Sequence, residues 1–142
     1  MKVLVSACLL GENCKYNGGN NRNAAVEAFV RGREVLPICP EMLAGLGCPR
    51  APMELVDGVL TDRNGRNVEK PIRQAVALAL EQLRGEKIDC AVLQSRSPTC
   101  GVNQVYDGSF SGRLIPGMGV FARALREAGY RVIDAADIPA EG

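Results

Sequence analysis

The sequence predicts a single α/β domain over residues 1–142, with a Rossmann-like parallel sheet that carries helices on both faces. Two observations predict this fold class. Short apolar runs alternate with longer segments whose apolar residues recur at helical spacing, which is the arrangement of βαβ units. A chain of 142 residues that is 46% hydrophobic is also long enough to bury one core without disulfide or metal staples.

Four apolar runs are predicted to form the sheet. Strands that are buried on both faces read as continuous apolar runs rather than alternating ones, which assigns the strands to residues 2–10, 34–39, 88–93 and 130–135. The first run is short and is interrupted by Ser6 and Gly11. We therefore interpret it as a strand and not as a signal peptide.

Three helices are predicted between the strands. Asn23 is a suitable N-cap for a first helix that ends at Gly32. A second helix covers residues 69–84, where apolar side chains recur at i, i+3, i+4, i+7, i+8 and i+11. A third helix is predicted over residues 117–127, where apolar side chains also fall on one side.

The remaining segments are predicted to be irregular, apart from one hairpin. Three of them are rich in Gly, Asn or Pro, and these cover residues 11–23, 40–52 and 101–116. The second of these segments is mainly loop but can hold a helical turn. The turn dipeptides Asp57-Gly58 and Asn64-Gly65 indicate a small hairpin over residues 58–66.

The charge balance favours a small ligand over a nucleic acid. The chain has 17 Lys and Arg against 16 Asp and Glu, whereas nucleic-acid binders of this size are visibly basic. No stretch approaches about 18 consecutive apolar residues, so no membrane span is predicted. We expect a cytoplasmic protein that binds a small molecule, with no nucleic-acid or membrane partner, and the sequence carries no prediction of the oligomeric state.

Six cysteines and the absence of histidine restrict the chemistry. Without histidine there can be no Cys–His pair, no Ser–His–Asp triad and no zinc site that uses imidazole. In a reducing compartment such a chain suggests metal binding, catalysis or simple burial of the thiols. Thiolates select iron–sulfur clusters, zinc or copper(I), but neither a Cys-x-x-Cys zinc knuckle nor a bacterial ferredoxin spacing is present.

Three of the cysteines lie where predicted strands end. Cys8 is near the end of the first strand, Cys39 ends the second, and Cys100 follows the third. Ligands of parallel sheets bind beyond the carboxyl ends of the strands, so these thiols are predicted to meet at one edge and hold an inorganic cofactor. The alternative interpretation is that cysteines act as small core hydrophobes. No such strand-end position applies to the others, which are Cys14, Cys48 and Cys90.

Polar side chains that could perform chemistry lie close to these cysteines in the sequence. Glu41 is two residues after Cys39, and Ser97 is three residues before Cys100. Without histidine, a general base has to be a carboxylate, lysine, tyrosine or thiolate. The alternative interpretations are a solvated loop carboxylate for Glu41 and a turn-forming Ser-Pro for Ser97. Further candidates for contacts to a substrate are Ser95, Arg96, Tyr16, Asp107 and Ser111.

Four segments together resemble a bacterial and archaeal family, the thiouracil desulfidases. They are "VSACLLGENCKYNGG", "ICPEMLAGLGCPRAPMEL", "LQSRSPTCG" and "YDGSFSGRLIPGMGV". The resemblance runs in order from residue 3 to about residue 134. It covers nearly the whole chain, which makes the four motifs together far more specific than any one of them.

The resemblance implies a [4Fe-4S] cluster that is held by only three cysteines, Cys8, Cys39 and Cys100. The fourth iron would be open and would take the sulfur of the substrate. Glu41 would be the catalytic carboxylate and Ser97 its hydroxyl partner. The implied reaction converts a thiouracil to uracil and hydrogen sulfide without net redox change. Because longer relatives that prefer a thiouridine nucleotide carry a second domain, a free base, 2- or 4-thiouracil, is expected here.

The chain departs from the family pattern at several positions. Asn17, Lys15 and Thr99 stand where Asp, Arg and Ser are common, and these changes affect none of the implied ligands. Two other functions remain open from the residues alone. One is a module that holds an iron–sulfur cluster or zinc without catalysis, and the other is a nucleotide-binding α/β domain with core cysteines.

Overall fold

The computed structural model describes residues 2–138. The strands in this part of the chain are β1 (Lys2–Ser6), β2 (Glu34–Ile38), β3 (Met53–Val56), β4 (Val59–Asp62), β5 (Cys90–Leu93), β6 (Gln104–Tyr106), β7 (Leu114–Pro116) and β8 (Val132–Asp134). The α-helices are α1 (Ala24–Val30), α2 (Pro40–Leu43), α3 (Glu69–Leu83) and α4 (Val120–Glu127).

The four strands predicted from apolar runs form one parallel sheet. Its order is β2-β1-β5-β8, and β1 pairs in parallel with both β2 and β5. The chain therefore adds β2 on one side of β1 and then crosses back to add β5 on the other side. Loops that leave β1 and β5 run in opposite directions, which opens a crevice at their carboxyl ends. The structure confirms the predicted fold class.

Helices cover both faces of the sheet, as predicted. One core contains α3 and α4 together with Leu4 and Leu93, and the other contains α1 together with Val5 and Val92. Neighbouring strand residues point to opposite faces, so β1 and β5 contribute to both cores. Burying each such side chain contributes about 1.5–3 kcal/mol.

The three predicted helices are confirmed, although α4 begins at Val120 and not at residue 117. The side chain of Asn23 accepts a hydrogen bond from the backbone N–H of Val26 at 3.1 Å, a cap that contributes about 1 kcal/mol. The predicted apolar face of α3 is buried, with Ile72, Ala75, Val76, Ala79 and Leu83. No helix in residues 2–138 is both long and apolar enough to cross a membrane.

Two predicted connections are wrong in their details. The segment over residues 101–116, expected to be a loop, contains the antiparallel hairpin β6–β7. Each of its strands has three residues, which is too short to show an alternating pattern. The other hairpin is β3–β4, and it turns at Asp57 and Gly58 instead of starting there. Both turn residues have positive φ, 50° and 81°, which is typical of a tight two-residue hairpin turn.

Strand β1 is also shorter than predicted. It ends at Ser6, and residues Ala7–Leu10 form a single turn of 3-10 helix. The apolar run continues through this turn because Leu9 is buried in the core beside α1. Cys8 is consequently placed on the turn that leaves the sheet, and not on the strand itself.

Candidate active site

A cavity of about 570 Å³ lies at the carboxyl ends of β1, β2 and β5. This is the crevice where the strand order reverses, the position expected for a ligand of an open α/β sheet. The predicted site residues that line it are Cys8, Tyr16, Cys39, Glu41, Ser95, Arg96, Ser97 and Cys100.

The three predicted ligand cysteines come from the ends of three different strands. Cys8 lies on the turn after β1, Cys39 is the N-cap residue of α2 directly after β2, and Cys100 follows β5. Cys100 is 4% exposed, and the other two are partly buried. The structure thus brings all three thiols to one cavity.

Burial raises the pKa of each of these thiols. It takes the pKa of Cys8 to about 11, although a hydrogen bond from Asn21 at 3.5 Å opposes the rise. It takes the pKa of Cys100 to about 12, with a further rise from the carboxylate of Glu41. Burial also raises the pKa of Cys39, and Glu41 and Cys100 add to the effect. The thiols are therefore protonated at neutral pH and have to release protons when they bind a metal.

Glu41, Thr99 and Ser97 form a chain of hydrogen bonds beside the thiols. The hydroxyl of Thr99 donates to Oε1 of Glu41 at 2.5 Å, and Oγ of Ser97 lies 2.9 Å from Oγ1 of Thr99. The other carboxylate oxygen, Oε2, accepts from the thiol of Cys39 at 3.4 Å. Glu41 is 6% exposed and Thr99 is fully buried, so the carboxylate depends on these partners. Thr99 stands out in the sequence only as a departure from the family pattern.

The N-terminus of α4 fixes the loop that follows β5. The backbone N–H groups of Phe121 and Ala122 donate to the carbonyl oxygen of Thr99 at 2.8 and 3.1 Å. A Cβ atom on Gly119 would lie 2.4 Å from the carbonyl carbon of Thr99. Only glycine allows the two backbones to approach so closely, and this contact sets the position of the Thr99 side chain.

Cys14, which had no predicted role, is a fourth thiol at the cavity. It is 6% exposed and lines the cavity wall, and its carbonyl oxygen lies 3.9 Å from Sγ of Cys39. Burial raises its pKa, and the contact with the Cys39 side chain opposes the rise. Its loop is held by hydrogen bonds from Sγ of Cys48, at 3.0 Å, and from the backbone N–H of Arg50, at 2.6 Å. No periodicity in this loop could have shown that Cys14 turns inward.

The candidate substrate residues that line the cavity differ in whether their side chains are exposed or already hydrogen-bonded to the protein. Tyr16 and Arg96 are exposed at its rim. Ser95 is partly buried, and its hydroxyl donates to a carboxylate oxygen of Asp134. That contact joins the end of β5 to β8, so the Ser95 hydroxyl already has a structural partner.

The structure does not bring Asp107 and Ser111 to the cavity. They lie in the β6–β7 hairpin, where both side chains hydrogen-bond to the hydroxyl of Ser109. The hairpin reaches the cavity through Phe110, whose N–H donates to the buried carboxylate of Glu54 at 3.2 Å. Further polar residues that line the cavity and that were not predicted as site residues include Ser6, Asn21, Glu54, Arg63 and Gln94.

The chemistry of the three thiols fits an iron–sulfur cluster. Across residues 2–138, no three His, Cys, Asp or Glu side chains stand close enough together to hold one metal ion. A tetrahedral zinc site would need its ligands within about 2.0–2.3 Å of one atom. A cluster is larger than an ion, so its thiolates stand further apart, and cysteine thiolates are the usual ligands of a [4Fe-4S] cluster.

Comparison with known proteins identifies the family of the chain. The sequence profile of the family described as 2-thiouracil desulfurase matches residues 3–137. The uncharacterized protein YbbK of Bacillus subtilis (strain 168) is 34% identical over 141 residues, which cover 92% of this chain and 93% of that protein. A solved structure named [4Fe-4S]-dependent thiouracil desulfidase TudS superposes with a TM-score of 0.89 at 31% identity, and covers 97% of this chain and 93% of its own. The chain belongs to the 2-thiouracil desulfurase family.

Proposed function

We propose that this protein is a [4Fe-4S]-dependent desulfidase that converts a thiouracil and water to uracil and hydrogen sulfide. The observation that carries the proposal is the meeting of three thiols and a buried, hydrogen-bonded carboxylate in one cavity at the strand ends. Membership of the family and the likeness to TudS support the same activity. Since water is consumed and no electrons are exchanged, the reaction is of the hydrolase type.

Cys8, Cys39 and Cys100 would hold the cluster. With three protein ligands, such a cluster would keep one iron free of protein ligands and would supply a soft Lewis acid for the sulfur of the substrate. The cavity gives a substrate access to the thiols, because all three line it. Loading would release protons from the thiols, whose pKa values are all raised by burial.

Glu41 would act as the general base. Its Oε1 is engaged by Thr99, whereas Oε2 faces the thiol of Cys39, one of the proposed ligands. A carboxylate in this position can take a proton from a water that attacks the ring carbon next to the bound sulfur. Ser97 would hold this arrangement from the far side of Thr99.

The substrate would be a small free base, 2- or 4-thiouracil. Tyr16 and Arg96 at the rim are available for contacts with the ring, because both line the cavity and are exposed. Ser95 would act indirectly through its bond to Asp134. Asp107 and Ser111 would act only by shaping the hairpin that carries Phe110 into the wall.

Anaerobic purification followed by an assay with each thiouracil tests the proposal. We expect about four irons per chain and release of uracil and sulfide in equal amounts. Glu41→Gln should keep the iron and lose roughly 10²–10⁴-fold in turnover, the usual contribution of a positioned acid–base group. Iron-loaded protein that releases no sulfide from either base would refute the activity, and a fully active Glu41→Gln variant would refute the assignment of the base.

A further inference from the structure

The hydroxyl of Thr99 is the central member of the hydrogen-bond chain, although the proposed roles fall on its two neighbours. Its oxygen lies 2.5 Å from Oε1 of Glu41 and 2.9 Å from Oγ of Ser97. A third polar neighbour, Sγ of Cys100, lies at 3.6 Å. Thr99 is fully buried, so water cannot replace any of these contacts.

Counting protons fixes the direction of the chain. An ionised carboxylate only accepts, and a hydroxyl has one proton to give, so the proton of Thr99 goes to Glu41. Ser97 accepts from the backbone N–H groups of Thr99 and Cys100, at 3.1 and 3.0 Å. These contacts use both of its lone pairs, and its own proton is therefore donated to Thr99. The order of donation is Ser97 to Thr99 to Glu41.

We infer that Thr99 is a positioning residue for Glu41, an inference that rests on the proposed desulfuration. Its hydroxyl holds Oε1, and this turns Oε2 toward Cys39 and the proposed cluster ligands. The two oxygens of the carboxylate thereby differ in role, since Oε1 is held by Thr99 and Oε2 faces the proposed cluster ligands. Without the hydroxyl, the carboxylate could rotate, and Oε2 would lose its fixed position relative to the substrate.

The backbone around Thr99 is built to hold this hydroxyl in place. The carbonyl oxygen of Thr99 accepts from two N–H groups of α4, and Gly119 packs directly against it. The backbone N–H of Thr99 is bonded to Ser97. With its backbone fixed on both sides, the side chain has little freedom to point anywhere other than at Glu41, which is what positioning a general base requires.

Two substitutions of Thr99 separate the effect of its hydroxyl from the effect of its methyl group. Thr99→Val keeps the shape and removes the hydroxyl, whereas Thr99→Ser keeps the hydroxyl and removes a methyl group. We expect Thr99→Val to lower kcat roughly 10- to 100-fold, the effect of losing one hydrogen bond to a charged group. KM and the dissociation constant of uracil should change less than about threefold, because Thr99 does not line the cavity. Thr99→Ser should restore most of kcat.

A second readout does not depend on turnover. In cluster-free protein, Thr99→Val leaves the buried carboxylate of Glu41 short of a donor and should lower the melting temperature by roughly 3–10 °C. Combining Thr99→Val with Glu41→Gln should lower it by less than the sum of the two single effects, since Glu41→Gln weakens by loss of charge the same contact that Thr99→Val removes. Thr61→Val is the matched control, because within residues 2–138 the Thr61 hydroxyl bonds only to the carbonyl of Val59, in a hairpin strand outside the cavity wall.

The outcomes distinguish this inference from the proposed function. An active wild type with equal losses in Thr99→Val and Thr99→Ser would overturn the role of the hydroxyl, as would a Thr99→Val enzyme with normal kcat. A wild type that holds iron but releases no sulfide would overturn the function, and additive melting effects would then overturn the contact itself. If Thr99→Val does not fold, Thr99→Ala takes its place in the same comparison with Thr99→Ser.

Discussion

Alkaline pH should destabilise the cluster-free protein through its three site thiols. Burial is the main reason that the pKa of Cys8 is about 11 and that of Cys100 about 12, against an ordinary value of 9.0. The pKa of Cys39 is raised in the same direction. A group whose pKa is higher in the folded state holds its proton more tightly there. Its stabilising contribution is therefore complete below about pH 9 and is lost as the pH rises toward 11 and 12.

The size of this loss in the free energy of unfolding follows from the difference between the pKa of each thiol in the folded state and in the unfolded state. A pH of 10.5 is about 1.5 units above the pKa of an unfolded thiol, which is then almost fully ionised. In the folded state Cys100 still keeps its proton, because its pKa is about 12. This difference corresponds to about 2 kcal/mol for one thiol. Cys8 contributes slightly less because its folded pKa is lower. Together, Cys8 and Cys100 lose about 4 kcal/mol between pH 8 and pH 10.5, a large part of the 5–15 kcal/mol that stabilises a typical domain, and Cys39 adds to the loss in the same direction.

Urea denaturation of anaerobic, iron-free protein in the presence of a reductant measures this loss. The matched control is the triple variant Cys8→Ser, Cys39→Ser, Cys100→Ser, whose hydroxyls do not titrate in this range. Titration of lysines and tyrosines is common to both proteins and cancels in the comparison. The wild type should lose about 4 kcal/mol or more beyond the loss of the control. Equal losses in the two proteins would show that the thiols are not buried together, and the reasoning about the site would be refuted.

Two further predictions concern the proposed cluster ligands and the backbone contact beside Thr99. Cys100→Ser should lose most of its iron on anaerobic reconstitution, whereas Cys14→Ser should retain it, because Cys14 comes from the loop and not from a strand end. Iron analysis per chain checks both variants, and loss of iron in Cys14→Ser would make Cys14 a fourth ligand. Gly119→Ala should destabilise the protein by about 2 kcal/mol or more, since the new Cβ would overlap the carbonyl carbon of Thr99 at 2.4 Å. A denaturation midpoint equal to that of the wild type would contradict the close backbone contact.

The convergence of the thiols could be predicted because the strands of a parallel sheet follow a simple geometric rule. Their carboxyl ends all lie at one edge of the sheet, so Cys8, Cys39 and Cys100 could be placed together from their positions after apolar runs. The thiol of Cys14 could not be placed in this way. It lies in a polar loop whose path depends on hydrogen bonds from Cys48 and Arg50, and neither contact leaves a pattern in the sequence.

By itself, the sequence determined the four strands of the parallel sheet, three of the helices and the burial of the sheet on both faces, and it offered the three thiols and the carboxylate as candidates. Hydrophobic periodicity and strand ends are local properties, so a single chain is enough to show them. Only the tertiary structure decided that Thr99 stands between Glu41 and Ser97, and that Asp107 and Ser111 lie away from the cavity. Residues 58 positions apart, such as Glu41 and Thr99, meet through the packing of α4 against the loop after β5. Such contacts depend on distances between elements, and the sequence does not encode those distances in any local pattern.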